Sequence, residues 1–229
     1  MEKSQFEVCL KVLKKLHQKG ALNDLILIGS WCAYFYKYYF AETHYEVTVR
    51  TRDLDFLVVP PLQKKRKLDI PEILREMGFV VQFKGSQGLI QLVHPELFIE
   101  FLVPELGKGS DKPFPLPQFG VNAQPLRFLN FLTVHIIHLR CGDLTIQVPH
   151  PANFALHKFI IFQRRKHPEK INKDKEMASR ILSSLMVKGE KETIRKVFDS
   201  TPKKWQEKIL AGLEKNREKE ILNLLSQEK

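Results

Sequence analysis

The sequence predicts an α/β (α+β) fold in two parts, a sheet with helices over 1–150 and a helical C-terminal domain over 151–229. Three observations predict it. Leu25-Ile26-Leu27-Ile28 is a short apolar run that ends in Gly29-Ser30 and opens an aromatic, helix-like stretch from Trp31. Arg50-Thr51-Arg52-Asp53-Leu54-Asp55-Phe56-Leu57-Val58-Val59 reads as a second strand, with further strand patterns at about 79–84, 88–93 and 97–103. After Pro149-His150-Pro151 the apolar spacing changes from strand-like to helical.

The elements follow in order. Ser4 can cap a helix whose face is Phe6, Cys9, Leu10, Leu13 and Leu16, and Gly20 ends it. Trp31 to Phe40 is apolar nearly all round and should be largely buried, although an aromatic beside Ser30 could instead stack on a base. Pro60-Pro61 ends the second strand. Asp69 caps a short helix with Pro71 in its first turn, and Gly78 stops it. Residues 104–125 carry Pro104, Pro113, Pro115, Pro117 and Pro125 and read as a loop or flap. A hairpin turned at Cys141-Gly142-Asp143 comes next. Helices are expected near 151–166, 169–187, 190–199 and 202–226, the last broken near Gly212.

The chemistry gathers at Gly29-Ser30 and Asp53-x-Asp55. Side chains alternate along a strand, so Asp53 and Asp55 share a face. Two carboxylates so placed repel unless a cation lies between them, and hard divalent cations prefer oxygen ligands. A Gly-Ser turn with free N–H groups and a hydroxyl suits a phosphate. Glu100 is the one charge in the apolar strand Leu97–Val103, so it must face a partner or an open sheet surface. An exposed strand with two solvated aspartates is the simpler alternative.

This ordered set resembles the DNA polymerase beta-like nucleotidyltransferase superfamily. Gly-Ser-Trp and Arg-Thr-Arg-Asp-Leu-Asp-Phe are similar to prokaryotic nucleotidyltransferases related to abortive-infection toxins. The resemblance implies a mixed sheet flanked by helices as a nucleotidyltransferase domain over 1–150. It implies metal ligation by Asp53, Asp55 and Glu100, although the superfamily more often has Asp at the third place. Mg²⁺ or Mn²⁺ would be the cofactor and a nucleoside triphosphate the substrate. Gly29 and Ser30 would hold its phosphates, and Arg52 would neutralise them or simply balance the aspartates.

Two charges fall on apolar helical faces. Lys158 lies between Phe154 and Phe162, with Arg165 nearly above it, and Asp174 lies among Ile171, Met177, Ala178, Ile181 and Leu185. Either Lys158 and Asp174 form one buried ion pair, or both face a cleft between the domains. The toxin-related family has a similar order of basic and acidic residues, matched by Lys158, Arg164 or Arg165, and Lys173-Asp174. On that resemblance Asp174 is expected to be catalytic, and Lys158, Arg165 and Lys173 to bind nucleotide.

The chain has 229 residues and a net charge of +11, of which residues 158–229 contribute +8. An anionic partner fits this balance, and RNA, perhaps tRNA-like, fits better than a membrane surface. Gln63-Lys64-Lys65-Arg66-Lys67 is either a solvated loop or a nucleic-acid contact. A protein acceptor and a cognate antitoxin are further partners the resemblance allows. Cys9, Cys32 and Cys141 have no metal spacing, and no signal-like or bilayer-length apolar segment occurs, so a cytoplasmic protein is expected. The alternative to an enzyme is a nucleotide- or RNA-binding scaffold that has lost catalysis.

Overall fold

The computed structural model describes residues 3–47, 51–60, 67–105 and 112–226. They divide into two compact units, the first drawn from Met1–Phe35 and Thr48–Val148, the second from Tyr36–Val47 and Pro149–Lys229. A single cut at 150/151 would put Tyr36–Val47 with the sheet. Its own contacts explain why it joins the helices. The Tyr36 hydroxyl donates to the Pro149 carbonyl at 2.7 Å, the Tyr36 ring meets Phe154 edge-on, and Arg180 donates to the Glu46 carbonyl at 2.8 Å.

The sheet unit begins with α1 (Lys3–Gln18), β1 (Ile26–Ile28) and α2 (Gly29–Phe35). It continues through β2 (Asp53–Leu57), α3 (Ile70–Arg75), β3 (Val80–Lys84), β4 (Leu89–Val93) and β5 (Phe98–Pro104). β6 (Phe114–Leu116), β7 (Val121–Leu126), β8 (Ile136–Cys141) and β9 (Leu144–Pro149) complete it. The sheet is mixed, in the order β3-β4-β5-β2-β1-β9-β8, with β7 joined to β5 and β6 to β7. β2 and β5 are parallel neighbours, and β1 lies antiparallel on the other side of β2. The cap expected of Asp69 is made: its carboxylate accepts from the Glu72 N–H at 3.0 Å, with Pro71 in the first turn.

The stretch read as a flap differs. Within 112–125 it contains β6 and most of β7, and β7 runs parallel to the C-terminal half of β5. Pro115 and Pro125 lie on β6 and β7, short strands beside the main strand order where a missing N–H is tolerated, while Pro104 ends β5 and Pro117 opens a 3₁₀ turn. Residues 106–111 of that stretch lie outside the described residues.

The two sheet faces are unlike. Leu54, Phe56, Ile99 and Phe101 are all fully buried on one face, where the Phe56 and Phe101 rings stack. On the other face, Leu57, Leu102, Ile26 and Ile28 form a smaller core with Leu129 and Leu132. That second face turns polar toward the start of β2, and the candidate site lies there.

In the helical unit, α4 (Pro151–Ile161) is the central helix, with α5 (Pro168–Val187), α6 (Lys191–Asp199), α7 (Lys203–Lys215) and α8 (Lys219–Ser226) following. α4 packs against α5, α6 and α7, as expected of a helix apolar on all sides. The His150 Nδ1 accepts from the Ala152 N–H at 3.2 Å and caps it. His150 Nε2 therefore carries the proton and donates to the Tyr39 hydroxyl at 2.9 Å, which donates in turn to Glu190. The break expected near Gly212 falls later, at 216–218, where Arg217 has φ 59°. Gly212 is instead a contact point: a Cβ there would lie 2.5 Å from the Phe159 carbonyl oxygen of α4.

Candidate active site

The site begins with β2, where Leu54 and Phe56 anchor one face in the core and force Asp53 and Asp55 onto the other. Asp53 is exposed and Asp55 half-buried. The Thr51 hydroxyl donates to Asp53 Oδ2 at 3.2 Å and accepts from the Asp53 N–H, which fixes the first carboxylate at the strand entrance.

β5 brings in the third acid. Asp55 and Glu100 are register partners on adjacent parallel strands, so their side chains emerge on the same face. β1 supplies the turn. Ile28 pairs with Asp55, and Gly29 follows at φ 71°. A Cβ on Gly29 would collide with the Asp55 carboxylate oxygen Oδ2. Glycine is thus required twice, for its backbone conformation and for the approach of Asp55. Ser30 follows, half-buried, and Trp31 is fully buried as core.

Glu100 is held from β3 and β4. Its Oε1 accepts from Lys84 Nζ at 2.7 Å and from Gln91 Nε2 at 2.5 Å. The hydrogen bond to Glu100 is the largest influence raising the Lys84 ammonium pKa; burial opposes it, and the charges of Glu100, Asp53 and Asp55 add to it. One ammonium therefore feels all three carboxylates. Among the described residues no three acidic, His or Cys side chains converge as a ready metal cage. The face-sharing expected of Asp53, Asp55 and Glu100 is present, while their tight convergence is not. The donor chemistry suits a hard divalent cation: carboxylate oxygens on one face, with the Lys84 ammonium as a stand-in positive charge.

Arg52 is exposed. Its guanidinium stacks 4.2 Å from the Phe98 ring centre and donates to the His94 carbonyl at 3.3 Å. Arg50 and the run Gln63 to Arg66 lie outside the described residues.

The other expected residues meet in the helical unit. Lys158 Nζ donates to Asp174 Oδ1 at 2.7 Å, and Arg165 Nε donates to Oδ2 at 3.0 Å. Lys158 and Asp174 are 7% and 5% exposed, so this is a closed ion triad with both carboxylate oxygens engaged. Such contact is what the ion-pair alternative requires. Burial opposes ionisation of Asp174, but the charges and hydrogen bonds of Lys158 and Arg165 outweigh it and hold the carboxyl below its usual range. Lys173, one residue earlier, is half-buried. Burial first, then the Lys158 charge, drives the neighbouring His157 down to about 3, so this imidazole is neutral.

Sequence reasoning passed over Thr51, Lys84 and Gln91. Counting the hairpin back from the Gly85–Gly88 turn pairs Gln82 with Gln91 and puts Lys84 two residues on, on the same face. The register of β4 with β5 then sets Gln91 opposite Glu100.

The fold and the carboxylate-bearing face define an enzyme class, the nucleotidyltransferases. The chain belongs to the family described as Nucleotidyltransferase, whose model matches residues 7–200. An antigenic nucleotidyltransferase-like protein from Paracoccidioides brasiliensis is similar in fold, with TM-score 0.51 and 12% identity over 96% of this chain and 92% of that one. The antibiotic-resistance factor ANT(2")-Ia, solved with adenylyl-2"-tobramycin, aligns with TM-score 0.46 and 12% identity over 83% of this chain and 98% of that one. No curated protein matches the chain. No helix among the described residues is long and apolar enough to cross a membrane.

Proposed function

We propose that this nucleotidyltransferase moves a nucleoside monophosphate from a nucleoside triphosphate to an acceptor hydroxyl in a reaction dependent on Mg²⁺ or Mn²⁺. The observation that carries the reading is the register of Asp55 with Glu100, with Gly29 fitted against Asp55. Asp53 and Asp55 would hold the cation, which when bound supplies charge neutralisation at the phosphates. Gly29 and Ser30 border the triphosphate, and Arg52 offers its exposed guanidinium to it. The acceptor oxygen bonds to the α-phosphorus as the bond to the bridging oxygen breaks and pyrophosphate leaves. Glu100 takes the hydroxyl proton through Oε2, since both of its hydrogen bonds fall on Oε1.

The +11 net charge favours RNA as the acceptor, tRNA-like substrates included. A toxin role with a cognate antitoxin belongs to the same reading. In the helical unit, the more open Arg165 and Lys173 are the proposed nucleotide contacts. Lys158 and Asp174 hold Arg165 in place, and Asp174 acts through it.

The test is incubation with each α-labelled triphosphate, Mg²⁺ and total RNA or protein, followed by separation of labelled products. Labelled RNA is expected. Asp55→Asn should lower labelling at least about 10²-fold, the scale of losing one preorganised electrostatic group. Labelled protein would replace the acceptor, and no labelled product with any triphosphate would leave the binding-scaffold alternative.

A further inference from the structure

Lys84 is unusual among the basic residues of the sheet unit. It closes β3, its side chain is 57% exposed, and its ammonium nevertheless points into the acidic face instead of into solvent. It bonds Glu100 at 2.7 Å and is drawn by Asp53 and Asp55 as well. Gln91, 9% exposed, holds the same Glu100 oxygen from the next strand, so Glu100 keeps one tether if Lys84 departs. Lys84 also has somewhere to go. It borders an open groove of about 270 Å³ shared with Gly85, Ser86, Gln87 and Gln124. A flexible four-carbon stem carrying a compact charge can switch between two such positions at small cost.

From this geometry we infer that Lys84 is an internal counter-ion of the carboxylate face, competing with the divalent cation and leaving Glu100 for the groove when the cation binds. The inference rests on the reading of Asp53 and Asp55 as cation ligands. Two positive charges beside the same carboxylates repel, so each weakens the binding of the other. Lys84 partly neutralises the acidic face before metal and nucleotide arrive, and its departure removes one of the two hydrogen bonds on Glu100 Oε1 while Gln91 keeps the other.

The experiment measures Mn²⁺ binding to the full-length protein by electron paramagnetic resonance, without nucleotide, for wild type, Lys84→Met, Lys84→Arg and Asp53→Asn. Thermal melts confirm that each variant is folded. Lys84→Met should bind Mn²⁺ about three- to fivefold tighter than wild type, on the scale of a partly exposed ion pair. Lys84→Arg, which retains the charge, should stay within about twofold. Asp53→Asn should bind more weakly. If Asp53→Asn weakens binding but Lys84→Met equals wild type or binds less, the competing role of Lys84 is overturned while the cation site stands. If Asp53→Asn leaves binding unchanged, or neither wild type nor Lys84→Met binds Mn²⁺, the cation reading falls and the inference with it.

Discussion

Asp55 and Asp174 are both carboxylates that interact with a lysine, yet their surroundings are opposite. Asp174 is closed: two cations occupy its two oxygens inside the helical unit, and little of it reaches solvent. Asp55 belongs to a half-buried sheet face where it lies in register with Glu100, and the partly exposed Lys84 ammonium is drawn by Asp53, Asp55 and Glu100 together. Valence that is already satisfied stabilises a fold but is unavailable for chemistry. Carboxylates gathered on a partly exposed sheet face contribute less to the fold and stay within reach of a ligand.

The largest effect that can break this comparison is at the triad. Lys158→Ala leaves Asp174 with one partner in a buried setting and should cost on the order of 3–5 kcal/mol, read as a lower urea midpoint. Nucleotide affinity should change little in whatever fraction remains folded, because Asp174 Oδ2 still holds Arg165. Weaker nucleotide binding at an unchanged midpoint would instead make Lys158 a direct ligand and erase the contrast.

Acid sharpens it next. His157 is neutral in the fold with its pKa at about 3, against 6.5 when unfolded, so the unfolded chain binds the extra proton first. Stability is fully present above the unfolded value and falls by about 1.4 kcal/mol per pH unit between them. Asp174, depressed by its cations, adds a further loss as pH drops through its folded value. Melting temperature followed from pH 7 to about 4 should fall, and His157→Asn should flatten the slope. A flat wild-type profile would show that His157 is accessible to protons.

The smallest effect is at the open face. Asp53→Asn and Asp55→Asn should each change stability by no more than about 0.5 kcal/mol, measured by urea unfolding without metal, since like charges are relieved as hydrogen-bonding atoms are kept. A loss comparable to Lys158→Ala would mean that the sheet carboxylates are structural as well.

Much of the site was legible in sequence because its signals are local. Gly29-Ser30 after an apolar strand, and Asp53-x-Asp55 with Leu54 and Phe56 between, carry their own geometry. Glu100 declared itself as the lone charge in an apolar strand. Lys84 and Gln91 did not, because their meaning depends on strand register across two pairings. Tyr36–Val47 was also beyond local reading: aromatics announce burial, but not which unit buries them. The same limit applies to Gly212, where a glycine required by helix contact looks like one that ends a helix.

The pairing of β2 with β5 has a consequence for how the enzyme comes into being. β3, β4 and β5 form a meander closed by short turns, so Glu100 can find Gln91 and Lys84 early, at little entropic cost. Asp55 reaches Glu100 only through a parallel crossover spanning more than forty residues, the kind of contact that forms slowly. The local meander thus gives Glu100 its Lys84 and Gln91 partners before β2 docks beside it with the other two acids. The lysine that guards the finished face also escorts its most awkward charge through assembly.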